Sequence, residues 1–214
     1  MDFFDVHTHT FSSDKNVFSI VNTYPNSSNF SQPFSIGIHP WFINIDKIEE
    51  EVFILESKLE HKNCFALGEC GLDKLIAVDF ERQKEVFKKQ IQLSEKYKKP
   101  LIIHCVKAHQ EIIEIKKEVN PKQVWILHGF NKNKQLAESL LKNGIILSFG
   151  SAIIKNKKLQ EVLVELPISS LLLETDASEL EIQEIYQNAS EIKNSSLIDL
   201  QVAIYQNFKR IFIK

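Results

Sequence analysis

Asp5-Val6-His7-Thr8-His9 is the stretch on which the reading of this chain turns. The apolar, aromatic-rich run from Met1 to Val6 has strand character, and a strand sends successive side chains to opposite faces, so His7 and His9 point the same way. Two imidazoles aimed at one point suit a metal ion, yet taken alone they equally suit a half-exposed strand face. Later strands decide between the two readings, because α/β barrels and open α/β sheets both gather their chemistry at the C-terminal ends of strands.

Those later strands deliver ligand-type side chains in turn. Phe34 to Ile38 runs into His39, Cys64 to Gly68 into Glu69, and Leu101 to Ile103 into His104. Val124 to Leu127 runs into His128, and Leu171 to Leu173 into Glu174-Thr175-Asp176. With Val17 to Val21 and Ile145 to Phe149 the strand count reaches eight. Helical spacing fills most gaps: Asp46 to Ser57 with Asp46 as cap, Asp79 to Tyr97, Lys107 to Val119, Asn131 to Asn143 and Lys155 to Leu166. This alternation is the rhythm of an α/β fold, a compact (β/α)8 TIM-type barrel, with residues 1–214 as a single domain. The link Ser12 to Asn16 is too short for a crossover helix, so either the first helix of the barrel is missing, as the barrel reading expects, or the second strand is irregular; Thr23 to Pro33 has loop composition. From Glu179 onward two helical patterns follow, separated near Asn194-Ser195-Ser196, and Leu197 to Ile211 is the extra C-terminal helix.

Composition narrows the setting. Apolar residues make up 43% and charged residues 25%, an ordinary globular balance, and the net charge of -2 neither supports nor excludes a nucleic-acid substrate. Cys64, Cys70 and Cys105 are odd in number and lack metal-type spacing, which points to a reducing cytoplasm rather than a disulfide scaffold. The start of the chain carries no signal-peptide pattern, and no apolar run approaches the ~18 residues of a membrane span.

The candidate metal ligands are therefore His7, His9, Glu69, His104, His128 and Asp176. Imidazole with carboxylate does not name the ion, and six ligands exceed the usual three of one catalytic ion, so two divalent ions (Mg, Zn or Mn) are expected. A two-metal centre activates water and neutralises charge on the attacked and leaving oxygens, which is what hydrolysis demands. In that reading Asp176 and Glu69 are the catalytic carboxylates, Glu69 bridging the ions and Asp176 both binding metal and accepting a proton from water.

At these positions the chain resembles the TatD-type metal-dependent deoxyribonucleases of the metallo-hydrolase barrels. The resemblance is carried by Asp5 to His9, Gly37-Ile38-His39-Pro40, Gly68 to Asp73, Arg82-Gln83 with Phe87 and Gln90, and Pro100 to His104. It continues through His128-Gly129-Phe130, Leu147 to Gly150 and Leu173 to Ala177, and covers most of Met1 to Ser178. It implies a two-metal centre on the six ligands and Mg-dependent cleavage of DNA, often from the 3′ end. Three departures stand out: the missing first helix, Cys105-Val106-Lys107 where the family often has Ser-Arg-Asp, and Ser178 leading into an acidic helix where the family places a substrate loop.

His39, Asp73 and Lys107 are the candidate substrate contacts, with loop packing beside Pro40-Trp41 the rival reading of His39 and solvation that of Lys107. His61 and His109 read as surface residues, and Cys70 and Cys105 as packing residues. Two further functions fit the same residues: a PHP-type phosphomonoesterase, since His-Thr-His after a first strand occurs there too, and a metal-binding barrel that binds a protein partner. The expected partners are a DNA or nucleotide substrate, with no membrane and no obligate protein partner.

Overall fold

The computed structural model describes residues 2–213, so Met1 and Lys214 lie outside the described residues, including the expected first residue of the first strand. Eight strands form one sheet in the order β1 to β8: β1 (Phe3–Thr8), β2 (Val17–Thr23), β3 (Phe34–Ile36), β4 (Cys64–Asp73), β5 (Leu101–Val106), β6 (Trp125–Leu127), β7 (Ile145–Phe149) and β8 (Leu171–Leu173). The helices are α1 (Ile48–Lys58), α2 (Phe80–Tyr97), α3 (His109–Val119), α4 (Lys134–Lys142), α5 (Ala152–Lys155), α6 (Lys157–Glu165), α7 (Ile182–Ile192) and α8 (Leu197–Phe212). This is the expected (β/α)8 barrel fold, without a helix between β1 and β2 and with an added C-terminal helix. Contacts group the chain into two compact units, one of Met1–Val21 with His128–Lys214 and one of Asn22–Leu127.

In the first unit, β1 pairs in parallel with β2 and β7 with β8. β1 also meets the chain just past β8 through a parallel bridge between Thr8 and Asp176. The helix absent after β1 is replaced by cover from the end of the chain. Tyr186 of α7 accepts a hydrogen bond from the Phe4 amide (3.0 Å) and donates one to its carbonyl (3.1 Å). Phe208 of α8 lies 4.6 Å from the Phe4 ring and 5.2 Å from Phe18 on β2, and Tyr205 stacks on Phe4. The aromatic strand is thereby dry without a crossover helix of its own.

In the second unit, β3, β4, β5 and β6 pair in sequence, all parallel. The sequence reading ends β4 at Gly68; the strand continues to Asp73, which places Glu69 within the strand rather than at its end. The reason lies in two glycines. Gly68 and Gly71 have φ near +140°, and a Cβ at either position would overlap a β5 carbonyl, that of Ile102 or His104. Only glycine lets β4 run this close to β5.

Smaller differences are matters of capping. Lys47 rather than Asp46 precedes α1. Asn133 caps α4, shortening it to Lys134–Lys142. Asn156 accepts a hydrogen bond from the Leu159 amide, which starts the helix expected from Lys155 at Lys157 as α6, and the short α5 ahead of it is an addition to the expected elements.

Helix α2 holds two strand ends through a pair of buried glutamines one heptad apart. Gln83 exchanges hydrogen bonds with the Asp73 backbone (2.8 and 2.9 Å), and Gln90 does the same with Ile38 (2.8 and 3.0 Å). Each glutamine supplies the pairing that a neighbouring strand would otherwise give. Gln90→Leu keeps the volume but strands the Ile38 amide and carbonyl. It is expected to destabilise the chain by about 1–3 kcal/mol in urea unfolding, where a neutral substitution would leave the midpoint unchanged.

Candidate metal centre

The first unit gathers four of the predicted site residues. His7 sits inside β1, fully buried, and His9 follows that strand. Asp176 comes between them in space because its amide donates to the His7 carbonyl (2.9 Å) and its carbonyl accepts from the His9 amide (3.1 Å). This placement needs a left-handed backbone at Asp176 (φ 55°), a conformation that few residues other than glycine adopt, aspartate and asparagine more readily than most. One residue earlier, the Thr175 amide and hydroxyl both donate to the Asp5 carboxylate (3.0 and 2.6 Å), fixing the same crossing from below. Burial pushes the Asp5 carboxyl up to about 7 despite those two hydrogen bonds.

The result is a cluster of donors. Asp176 Oδ1 lies 3.5 Å from His7 Nε2 and 3.4 Å from His9 Nε2, and the His7 and His128 rings are 4.4 Å apart. Partial burial opposes ionisation of Asp176, but the hydrogen bonds from His7 and His9 and the charge of His7 and His128 hold its carboxyl well below the usual range. His7, His128 and Asp176 each offer a ligand atom, all within 4.8 Å of one another.

The second unit gathers another three. Glu69 Oε1 lies 2.9 Å from His104 Nδ1 and 3.2 Å from His39 Nε2, and these three residues again offer ligand atoms within 4.8 Å. Asn22 fixes the glutamate by accepting from its amide (2.9 Å) and donating to its Oε2 (3.3 Å). Asp73 stands at the edge: its Oδ2 is 3.4 Å from His104 Nε2 and accepts from Trp41 Nε1 at 2.7 Å. Burial opposes ionisation of Asp73, but the hydrogen bonds from Trp41, Leu75 and His104 lower its carboxyl below the ordinary value. His39 thus joins a donor cluster, buried, while Lys107 is exposed beyond the end of β5 and does not join either group.

Each cluster contains two imidazoles and one carboxylate, a donor set that suits Zn, Mn or Fe directly and Mg where water completes the shell. Sequence reasoning missed the supports. Glu174 is fully buried, with Oε1 accepting from the Gly129 amide (2.6 Å) and lying 3.5 Å from His128 Nδ1. Its Oε2 is buried with no hydrogen-bond partner among the described residues. A carboxylate on the Nδ1 side fixes a histidine's orientation and keeps Nε2 for a metal. The only sequence signal was an acidic residue two places before Asp176.

The family model described as TatD related DNase matches residues 5–213. This chain belongs to that family. Among curated TatD relatives, a putative deoxyribonuclease TATDN1 homolog of Vairimorpha ceranae is 32% identical over 168 residues, which is 77% of this chain and 60% of that protein. An uncharacterized metal-dependent hydrolase, YabD of Bacillus subtilis, is 31% identical over 195 residues, 83% of this chain and 76% of that protein. The human 3′-5′ RNA nuclease TATDN2 is 33% identical over 150 residues, 67% of this chain but 20% of that protein. The chain spans about three fifths of the length of the first of these TatD relatives. The crystal structure of YJJV, a TatD homolog from Escherichia coli, shares the fold with a TM-score of 0.80 over 98% of this chain and 97% of that one, at 24% identity. Among the described residues, no helix is long and apolar enough to cross a membrane.

Glu174→Gln tests the support role of this TatD glutamate. Calorimetric titration with Mn is expected to show affinity reduced about 10- to 100-fold, with the His128 imidazole nitrogen shifts moved in the metal-free protein. Unchanged affinity and unchanged shifts would reduce Glu174 to a packing residue.

Proposed function

We propose that this chain is a metal-dependent phosphodiesterase acting on nucleic acid, with one divalent cation (Mg, Zn or Mn) at each donor cluster. His7, His9, His128 and Asp176 would hold one cation, and Glu69 and His104, with His39 beside them, the other. The observation that carries this reading is the repeated set of two imidazoles and a carboxylate, in a chain of the TatD family. The names of two relatives, a putative deoxyribonuclease and a 3′-5′ RNA nuclease, support nucleic acid as the substrate class.

Bound divalent cations would supply the positive charge that makes water more acidic and neutralises a phosphoryl oxygen. The protein's own part is proton handling and orientation. In this reading Asp176, with Oδ1 3.5 Å from His7 Nε2 and 3.4 Å from His9 Nε2, accepts a proton from the attacking water. Glu69, anchored by Asn22, keeps the His104 and His39 rings turned toward one point. Asp73 and exposed Lys107 stand as the substrate-side residues, Lys107 for a phosphate. Three cysteines without disulfide-scaffold spacing fit a reducing cytoplasm.

The test is a metal-reconstituted preparation assayed on labelled DNA and RNA strands and on phosphomonoesters. Diester cleavage should fall by about a hundredfold or more in Asp176→Asn and in Glu69→Gln, with circular dichroism unchanged. Monoester release without strand cleavage, or wild-type rates in either variant, would overturn the reading.

A further inference from the structure

Two large aromatic side chains are left open to solvent directly beside the second donor cluster. After β3 the chain passes through His39 into a short 3-10 turn, Pro40–Phe42, in which Pro40 is buried while Trp41 and Phe42 are each 56% exposed. Burying either ring would gain on the order of 2 kcal/mol, so consecutive exposed rings on a rigid turn need a reason.

The turn is held by the cluster itself. His39 Nδ1 accepts from the Trp41 amide (3.1 Å) while its Nε2 faces Glu69 (3.2 Å), so the ring that closes the turn also belongs to the donor group. Trp41 is fixed a second time by its indole N–H on Asp73 (2.7 Å), which satisfies its one polar atom. What the indole then presents to solvent is hydrocarbon and π-face. Tyr24 meets the Phe42 ring edge-on at 5.3 Å, keeping that ring upright. Below Phe42 lies a hollow of about 360 Å³ whose lining includes Tyr24, Asn26, Asn44 and Lys47.

We propose that Trp41 and Phe42 are a stacking site for an unpaired nucleobase of the strand being cleaved, with the hollow taking the adjoining sugar and phosphate. The inference rests on the phosphodiesterase reading above and adds to it the surface on which an unpaired base would rest. Three features select a base over an aliphatic surface. Both exposed residues are flat rings locked in orientation, and stacking is sequence-tolerant because every base has a π-face. The side-chain amides of Asn26 and Asn44 can donate to sugar and base edges, Asn44 Oδ1 already accepting from the Asp46 amide (3.1 Å), and Lys47 offers a cation to a phosphate on a wall it shares with Glu51. The rings also adjoin His39, so a base resting on them puts its own phosphodiester next to the Glu69 and His104 donors.

Trp41 reports on its own occupancy, because the second tryptophan, Trp125, is fully buried. The full metal-loaded chain is titrated with a phosphorothioate pentadeoxyadenylate, its RNA counterpart, the same strand with abasic sites and a blunt hairpin. Saturable quenching of Trp41 emission by the single strands, with little effect from the abasic strand or hairpin, is the expected result. The DNA and RNA arms show which sugar the hollow prefers. Trp41→Leu and Phe42→Leu should each weaken binding about tenfold, with Trp41→Phe restoring most of it. Binding with unaltered Trp41 emission, or equal weakening of intact and abasic strands by Trp41→Leu, would overturn the proposal. Wild-type cleavage of an unmodified strand is measured in parallel. Quenching without cleavage refutes the phosphodiesterase reading while supporting a base-binding surface, and cleavage without quenching refutes the stacking site alone.

Discussion

Four hydrogen bonds between Asp5, His7 and His9 and the segment after β8 carry the first cluster. Asp176 is threaded between the backbones of His7 and His9, and Thr175 hangs on the Asp5 carboxylate. These links join residues about 170 positions apart and do two things together. They pair the two strands that the linear order of a barrel leaves as edges, and they bring a carboxylate to a pair of imidazoles. Fold closure and ligand placement are one set of hydrogen bonds, so neither can be lost without the other. The left-handed backbone of Asp176 is the strained element this arrangement holds in place.

The second cluster is supported differently. Its strands pair in sequence order, and the precision comes from side chains that reach in from helix α2 and from Asn22. The same physical problem, turning ring nitrogens and a carboxylate toward a common point, is solved in one unit by crossing backbones and in the other by amide side chains. Both solutions place hydrogen-bond partners one step behind the donors, which is where orientation is decided.

Much of this was readable beforehand because the informative residues sit at strand ends. The alternation of apolar runs with helical spacing gave eight strands in their right order, and the short polar link after His9 announced a missing helix. The apolar run from Cys64 to Gly68 leaves Glu69 at a strand end; that Gly68 and Gly71 permit close approach to β5 and let the strand continue depends on a neighbour the local sequence does not reveal. Gln83 and Gln90 were visible only as parts of a family pattern, since burial of a polar side chain on an amphipathic helix has no periodic signature. Asn133 and Asn156 carried ordinary capping signals that a longer apolar pattern overrode in the reading. Glu174 was hidden for a related reason: its work is done through His128, far off in sequence.

The cover of β1 by α7 and α8 has a bearing on how the chain is made. Tyr186 reaches Phe4 across 182 residues, so the opening strand emerges from the ribosome long before the helices that will shield it. The Asn22–Leu127 unit is continuous and can gather its contacts during synthesis, whereas the other waits for its second segment. Phe3, Phe4 and Phe18 therefore acquire their cover only once Tyr186 and Phe208 have been synthesised.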